Sequence, residues 1–299
     1  MIVMFSPLVL LTLAVPIGQA TDQPPLAQIL ERVGHYVRQF EDDFAIVVSD
    51  EEYEQKDVVR SEPGGLRSSV ARRLRSEMLF AWLPETQSWL AARHVLSVDG
   101  APVADSKDRL DAALAEPGPD GTARIRRLRD EGARFNIGHV YRNFNDPTLV
   151  LQFLDPGYQE RFTFSLLGRE RANGVDTWKI AFAERGPPSL IKAPASDLLS
   201  NGLVWVGRAD GAVVRTSLTL KDATTNTRAD IAVDYRRSPK LGIEMPVRMV
   251  ESYEQQALVN GASPGAPQTL VAMRERIECV ATYSNFRRFE TSGRLVTPQ

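Results

Sequence analysis

The chain of 299 residues holds a single cysteine, Cys279, and three histidines, His35, His94 and His139. One cysteine cannot form an internal disulfide. Cys279 sits at period two with Ile277, Ala281 and Tyr283, the setting of a buried, inert thiol rather than a reactive one. The histidines are far apart, and none has a second His or a Cys at helical or hairpin spacing. Glu31 lies one helical turn before His35, but two ligands do not complete a zinc set. A Gly-rich phosphate loop and a calcium loop are also missing. One G-x-S-x-G string occurs, "GASPG" at 261–265, but it falls in the polar loop "ALVNGASPGAPQT" and not at the strand-to-helix turn that a nucleophile elbow needs. Charge of one sign is missing too. The formal net charge is −2, so no global field draws the chain to nucleic acid or anionic lipid. Arginine far outnumbers lysine, which reads as codon bias. These absences leave no catalytic residue, metal or cofactor to assign.

Long hydrophobic runs are confined to the start, "MIVMFSPLVLLTLAVPIGQATDQ". The run is shorter than the ~20 residues needed to span a bilayer. Gly18 and Ala20 are small residues placed as the −3 and −1 positions of a cleavage site before Thr21. No Lys or Arg precedes the run, but the rest is a signal-peptide layout. The expectation is a signal peptide at residues 1–20 and a single mature domain at 21–299. The product is exported to the periplasm or beyond and keeps no stable transmembrane anchor.

With 43% apolar and 25% charged residues, the composition is that of a globular chain able to bury a core. Leu26, Ile29, Leu30, Val33, Val37 and Phe40 recur at helical spacing after Pro24 and Pro25. Strands come next. Phe44, Ile46 and Val48 share one face, and Met78, Phe80 and Trp82 alternate against Leu79 and Ala81. "SWLAARHVLSV" ends in an Asp99-Gly100 turn. From about 106 to 153 the pattern turns helical, in "SKDRLDAAL", "GTARIRRLRDEGARFNI" and "DPTLVLQFL", the last with Asp146 as N-cap and Pro147 at the first position.

A meander of strands then runs to the end. Phe162, Phe164 and Leu166 share a face, as do Trp178, Ile180 and Phe182 across the Asn173-Gly174 turn. A hairpin across Asp210-Gly211 sets Val214, Thr216, Leu218 and Leu220 against Arg215, Ser217 and Thr219. Ile231, Val233 and Tyr235 form another face, and Ile243, Met245, Val247 and Met249 the next, with Pro246 marking an edge or bulge. In the last strand Tyr283 and Phe289 fall with Cys279 and Ala281, opposite Phe286 and Arg288. Its aromatics therefore form no single stacking platform for nucleic acid. The strand reads as a closing strand, with arginines that meet acids on neighbouring strands or solvent.

Short turns imply antiparallel pairing, and so large a sheet should curl. The fold class is α+β: one large curved antiparallel sheet, a half-barrel, with the N-terminal helix and the helical insertion at about 106–153 on its concave face. An amphipathic helix and then wide antiparallel strands, with "GLVWVGRADGAVVRTSLTL", "IAVDYRRSPKLGIEMPVRMVESY" and "ATYSNFRRF" in its C-terminal half, resembles the periplasmic lipoprotein carriers of the LolA/LolB-like fold and uncharacterised exported bacterial proteins. The resemblance covers about residues 26–98 and 158–290. It implies a concave apolar face that shelters an acyl chain, lipid or lipoprotein. The residues it nominates are Phe80, Trp82, Phe162, Phe164, Trp178, Ile180, Val233, Tyr235, Met245 and Met249. The helical block at 106–153 has no counterpart in that pattern.

Three readings of function stay open. The first is a binder of an apolar ligand, requiring a cavity of ~300 Å3 or more. The second is an envelope interaction or scaffold protein whose helices fill the sheet and which exposes an apolar patch. The third is a hydrolase built on the acidic run "SDEEYEQKD", with Asp50, Glu51 and Glu52 converging; otherwise that run is a solvated strand end or turn. "RIRRLRDEGAR" reads as a salt-bridged helix face with Ile125 and Leu128 turned to the core. "ARFNIGHVYRNFNDPTL", with Asn136, His139, Arg142, Asn143 and Asn145, either ties the insertion to the sheet or lines a pocket mouth.

Overall fold

A computed structural model describes residues 23–43, 46–62, 64–83, 88–104, 119–140, 142, 144–193, 196–260, 270–290 and 294–295. The expected signal peptide and its cleavage site, the helix expected at "SKDRLDAAL", and Phe44, Tyr141 and Asn143 lie outside the described residues.

Helix α1 (Leu26–Asp43) forms where its periodicity places it. Ile29, Val33, Val37 and Phe40 form a buried stripe, and each contributes about 1.5–3 kcal/mol by leaving water. Four strands succeed it: β1 (Ile46–Glu62), β2 (Gly65–Leu83), β3 (Ser88–Val98) and β4 (Ala101–Pro102). Asp99 and Gly100 turn between the last two with φ of 48° and 87°, both in the left-handed region that a two-residue hairpin needs. Helix α2 (Pro119–Ala133) comes next, then the short helices α3 (Leu149–Leu154) and α4 (Pro156–Gln159). The meander comprises β5 (Phe162–Ala172), β6 (Val175–Glu184), β7 (Ile191–Ala193), β8 (Ser196–Leu198), β9 (Ser200–Gly207), β10 (Val213–Asp222), β11 (Thr227–Arg237), β12 (Glu244–Asn260), β13 (Leu270–Glu290) and β14 (Arg294–Leu295).

The pairings form one antiparallel sheet whose path is β4-β3-β2-β1-β13-β12-β11-β10-β9-β6-β5. β14 pairs β13 off that path, and β7 with β8 forms a separate small hairpin. The two ends of the path do not meet, so the sheet is an open half-barrel. The last long strand does not close the sheet. β13 lies in its middle, between β1 and β12, and joins the N-terminal strands to the C-terminal meander.

Four local expectations are corrected. β1 does not end at the acidic run but continues through it to Glu62. Ile46 and Val48 do share a face, but it is the outer one, with Leu79, Ala81, Leu90 and Ala92 under Ile125 and Leu128 of α2; Val47 faces the main core. An irregularity between Val213 and Arg215 turns Val214 outward to Trp205 and Ala172, while Val213 enters the core. A second irregularity, with Asn285 at φ 52°, brings Phe286 onto the core side with Tyr283. The side chain of Phe289 is outside the described residues. Pro246 stands beside a bulge as expected: Asp234 pairs Arg248 and Tyr235 pairs Pro246, leaving Val247 unpaired.

The insertion is divided between two places. Helix α2 runs beside the free edge of β3. Gly132 lies so close that a Cβ there would stand 2.3 Å from the Arg93 carbonyl oxygen. A carboxylate oxygen of Asp146 accepts the Ala91 backbone N–H at 3.2 Å. The exposed edge is thus covered, which guards against pairing with another chain. Asp146 supplies the capping bond at the start of α3, although the helix proper begins two residues later than expected. Thr148 holds the N-cap position, and Asp146 accepts from the backbone N–H and hydroxyl of Thr148 at 2.7 and 2.6 Å. From Phe135 onward the chain turns into the concave face as a strap that leads into α3. Gln159 ties α4 to its neighbours, donating to the carbonyls of Leu30 on α1 and Leu154 on α3.

Candidate functional site on the concave face

The concave face has an apolar half and a polar half. On the apolar half, Phe162, Trp178, Ile180, Val233, Tyr235, Met245 and Met249 belong to one buried cluster that also reaches Phe80. Phe164 packs against it, partly buried. The side chain of Trp82 lies outside the described residues. Helices α1 and α3 press into this half. The ring of Phe153 from α3 stacks on Phe162 at 4.8 Å and meets the edge of Phe182 at 5.7 Å. The Tyr235 hydroxyl donates to the Pro147 carbonyl, so the floor of the sheet holds the strap by a polar tip on an apolar body. Among the nominated residues, all whose side chains are described are thus brought together, and aromatic side chains of the cover are packed on them.

The polar half comes from the acidic run. Along β1, Glu51, Tyr53, Gln55 and Asp57 are buried, while Glu52, Glu54 and Lys56 between them are exposed. Asp50, Glu51 and Glu52 therefore alternate between faces and do not converge, so the acid set proposed for hydrolysis is not assembled. Arg93 reaches across from β3 and donates to both oxygens of Glu51 at 2.5 and 2.8 Å. Its guanidinium lies over the Tyr53 ring at 3.9 Å. Burial works against the Arg93 charge, but Glu51 outweighs it and holds the guanidinium protonated.

Arg142 enters from the strap and is 2% exposed, the burial of a core residue. It donates to Gln55 Oε1 and Cys279 Sγ, each at 3.1 Å, and to the Ile137 carbonyl. Gln55 in turn donates to the Phe135 carbonyl and accepts the Ile137 N–H. Glu251 on β12 accepts from the Tyr253 hydroxyl, and burial pushes its carboxyl above the usual range. The Cys279 thiol is pushed up to about 12, burial being the largest cause and Glu251 the next; it is the inert core thiol expected. Near the end of the strap, Glu275 Oε1 accepts the His139 N–H at 2.8 Å. Gly138 has φ 81°, and a Cβ there would lie 2.4 Å from Ile277 Cδ1. Only glycine lets the strap sit this low.

Two cavities of about 200 Å3 each remain under the cover. The first is bounded by Met78, Leu90, Leu190 and Ile191 with Arg93, Arg129, Asn136, Asn145, Asp146 and Lys192. The second is apolar over most of its surface, between Val140, Ala193, Leu198, Leu220 and Ala229, and is bordered by His139, Asp222, Thr225, Thr227 and Gln255. Phe144 of the strap lines both. Each is smaller than the single open cavity expected. The β7–β8 hairpin forms the opposite wall of both.

The sequence singles out the strap residues for capping or a pocket mouth, and they do both: Arg142 pins the strap, while Asn136 and Asn145 border a cavity. Sequence reasoning misses the burial of Glu51, Tyr53, Gln55 and Asp57. Its only trace is their period-two spacing within a charged run. On the outer face Arg287 pairs Asp50 at 2.9 Å and Glu77 at 3.0 Å, as expected of arginines on the last strand. Among the described residues, no group of three His, Cys, Asp or Glu could hold a metal ion. No described helix is long and apolar enough to cross a membrane.

Comparison with protein-family models gives no match, and neither does comparison with curated proteins. Among solved structures the chain is similar to a candidate outer membrane lipoprotein-sorting protein domain from Vibrio parahaemolyticus, at 10% identity over 88% of this chain and 92% of that one, with a TM-score of 0.35. It is similar to a DUF1329 family protein from Desulfovibrio piger, at 9% identity over 88% and 93%, TM-score 0.33. It is also similar to a LolA superfamily protein from Nitrosomonas europaea, at 9% identity over 88% and 93%, TM-score 0.30.

Proposed function

We propose that the chain is an exported, non-enzymatic binding protein that shelters the acyl chain of a lipid or lipoprotein between the concave sheet and its strap. The observation that carries this reading is the pair of cavities that share Phe144 in their walls. Small-molecule sites span about 300–1,000 Å3, and the two cavities joined by a swing of one ring fall at the lower end of that range. The aliphatic lining of the second cavity suits a hydrocarbon chain. The strap is held to the sheet by polar contacts to Gln55, Glu275 and Tyr235, and the space for an apolar chain lies between the strap residues Val140 and Phe144 and the β7–β8 hairpin.

The test is native mass spectrometry of the product recovered from the periplasm of a Gram-negative host. The expected result is a mass beginning at Thr21 with a lipid-sized adduct that is lost on denaturation. The variant Leu198→Trp, which fills the aliphatic cavity, loses the adduct. A bare mature mass from both proteins contradicts acyl binding. It then favours an interaction protein, a second reading supported by the exposed Leu66, Leu258 and Leu270 on the long strands. An uncleaved chain contradicts export.

A further inference from the structure

The two cavities differ in chemistry, and the difference gives a bound chain a direction. The one beyond Phe144 is apolar over most of its surface, with polar side chains such as Asp222 and Gln255 only on its border, whereas the one beside β3 carries the cations Arg129 and Lys192 and two side-chain amides. Asn136 Oδ1 and Asn145 Nδ2 are buried there without a protein partner. A buried polar atom left unpaired costs about 1–3 kcal/mol, so these two, of opposite hydrogen-bonding sense and closed off beside the cavity, gain when their amides turn toward an occupant that meets both. Asp146 also borders the space, but its oxygens already accept from Ala91, the Thr148 N–H and the Thr148 hydroxyl. Arg93 is likewise spent on Glu51. The cations that can meet a ligand are Lys192, exposed on β7, and Arg129, which pairs the neighbouring Asp130 at 3.0 Å and also acts on the buried Asp146.

We infer that this cavity is a headgroup subsite, and that the ligand is a single-chain amphiphile whose anionic head also carries an O–H or N–H donor. The proposal rests on the acyl-binding reading and deepens it. The chain lies past Phe144. The oxyanion meets Lys192 and Arg129, one head oxygen accepts from Asn145 Nδ2, and the head donor gives its hydrogen to Asn136 Oδ1. A zwitterionic head brings its own cation against Lys192 and Arg129 and is disfavoured.

The experiment compares binding of lysophosphatidylglycerol and lysophosphatidylcholine of one chain length, both below their micellar concentrations, and of glycerol phosphate alone. It uses the full mature protein and the double variant Arg129→Gln with Lys192→Gln. The expected result is at least about tenfold tighter binding of the anionic lipid by the natural protein, equivalent to about 1.4 kcal/mol. In the double variant that ratio falls to near one. Equal affinity of the natural protein for both lipids overturns the headgroup subsite and leaves acyl binding standing. Glycerol phosphate binding as tightly as the lipid overturns the amphiphile and assigns a free anion. Failure of both lipids to bind removes the acyl reading and the subsite with it.

Discussion

Arg93 and Glu51 lie on strands two apart in the sheet and join through a bidentate ion pair at 2.5 and 2.8 Å, with side chains 6% and 0% exposed. Removing one partner strands a charge. Glu51→Leu is expected to destabilise the protein by about 3–5 kcal/mol, whereas Glu51→Leu combined with Arg93→Met recovers most of that loss. Urea midpoints of the three proteins check this. A single variant as stable as the natural protein contradicts the buried pairing.

Arg142 pins the strap to Gln55 and Cys279. Arg142→Met is expected to raise hydrogen exchange across 137–148 while leaving α1 protected, at a cost of about 2–3 kcal/mol. It should also hasten modification of the buried Cys279 by a thiol reagent. Unchanged exchange in the strap contradicts this role.

Helix α2 shields the edge of β3 through the close approach at Gly132. Gly132→Ala pushes its Cβ into the Arg93 carbonyl and is expected to cost about 1–3 kcal/mol. The uncovered edge should then promote self-association, read by sedimentation velocity. A variant as monodisperse and stable as the natural protein contradicts the edge-capping role.

Burial holds the Glu251 carboxyl above its ordinary value. The folded state then binds the proton more tightly than the unfolded chain. This contribution is most favourable at or below the ordinary carboxylate range near pH ~4.3 and is lost as pH rises through the folded value. Glu251→Gln removes the titration. The stability difference between variant and natural protein should therefore shift in the variant's favour as pH rises from about 4.3 to neutrality. A difference independent of pH contradicts the shift.

Much of this arrangement is legible in the sequence, and the parts that are not share a physical cause. Trp178, Ile180 and Phe182 alternate cleanly, and Asn173-Gly174 places their turn, because these signals are local. Period two fails at Val214 and Phe286, where one extra residue reverses the facing of the next stretch of strand. Glu51, Tyr53, Gln55 and Asp57 keep the period but not the hydrophobicity. Their burial depends on Arg93 and Arg142, partners distant in sequence that only the folded sheet delivers. The central place of β13 is equally nonlocal, since turn signals identify neighbouring strands and say nothing of where the chain returns.

The most direct measurement for the concave face is a binding series of single-chain amphiphiles that share one head and differ only in chain length. Each added methylene that enters the aliphatic cavity should strengthen binding by up to about 0.8 kcal/mol, until the space beyond Phe144 is filled and the gain stops. In Leu198→Trp the gain should stop at a shorter chain. Affinity that does not change with chain length, in either protein, contradicts a hydrocarbon ligand beneath the strap.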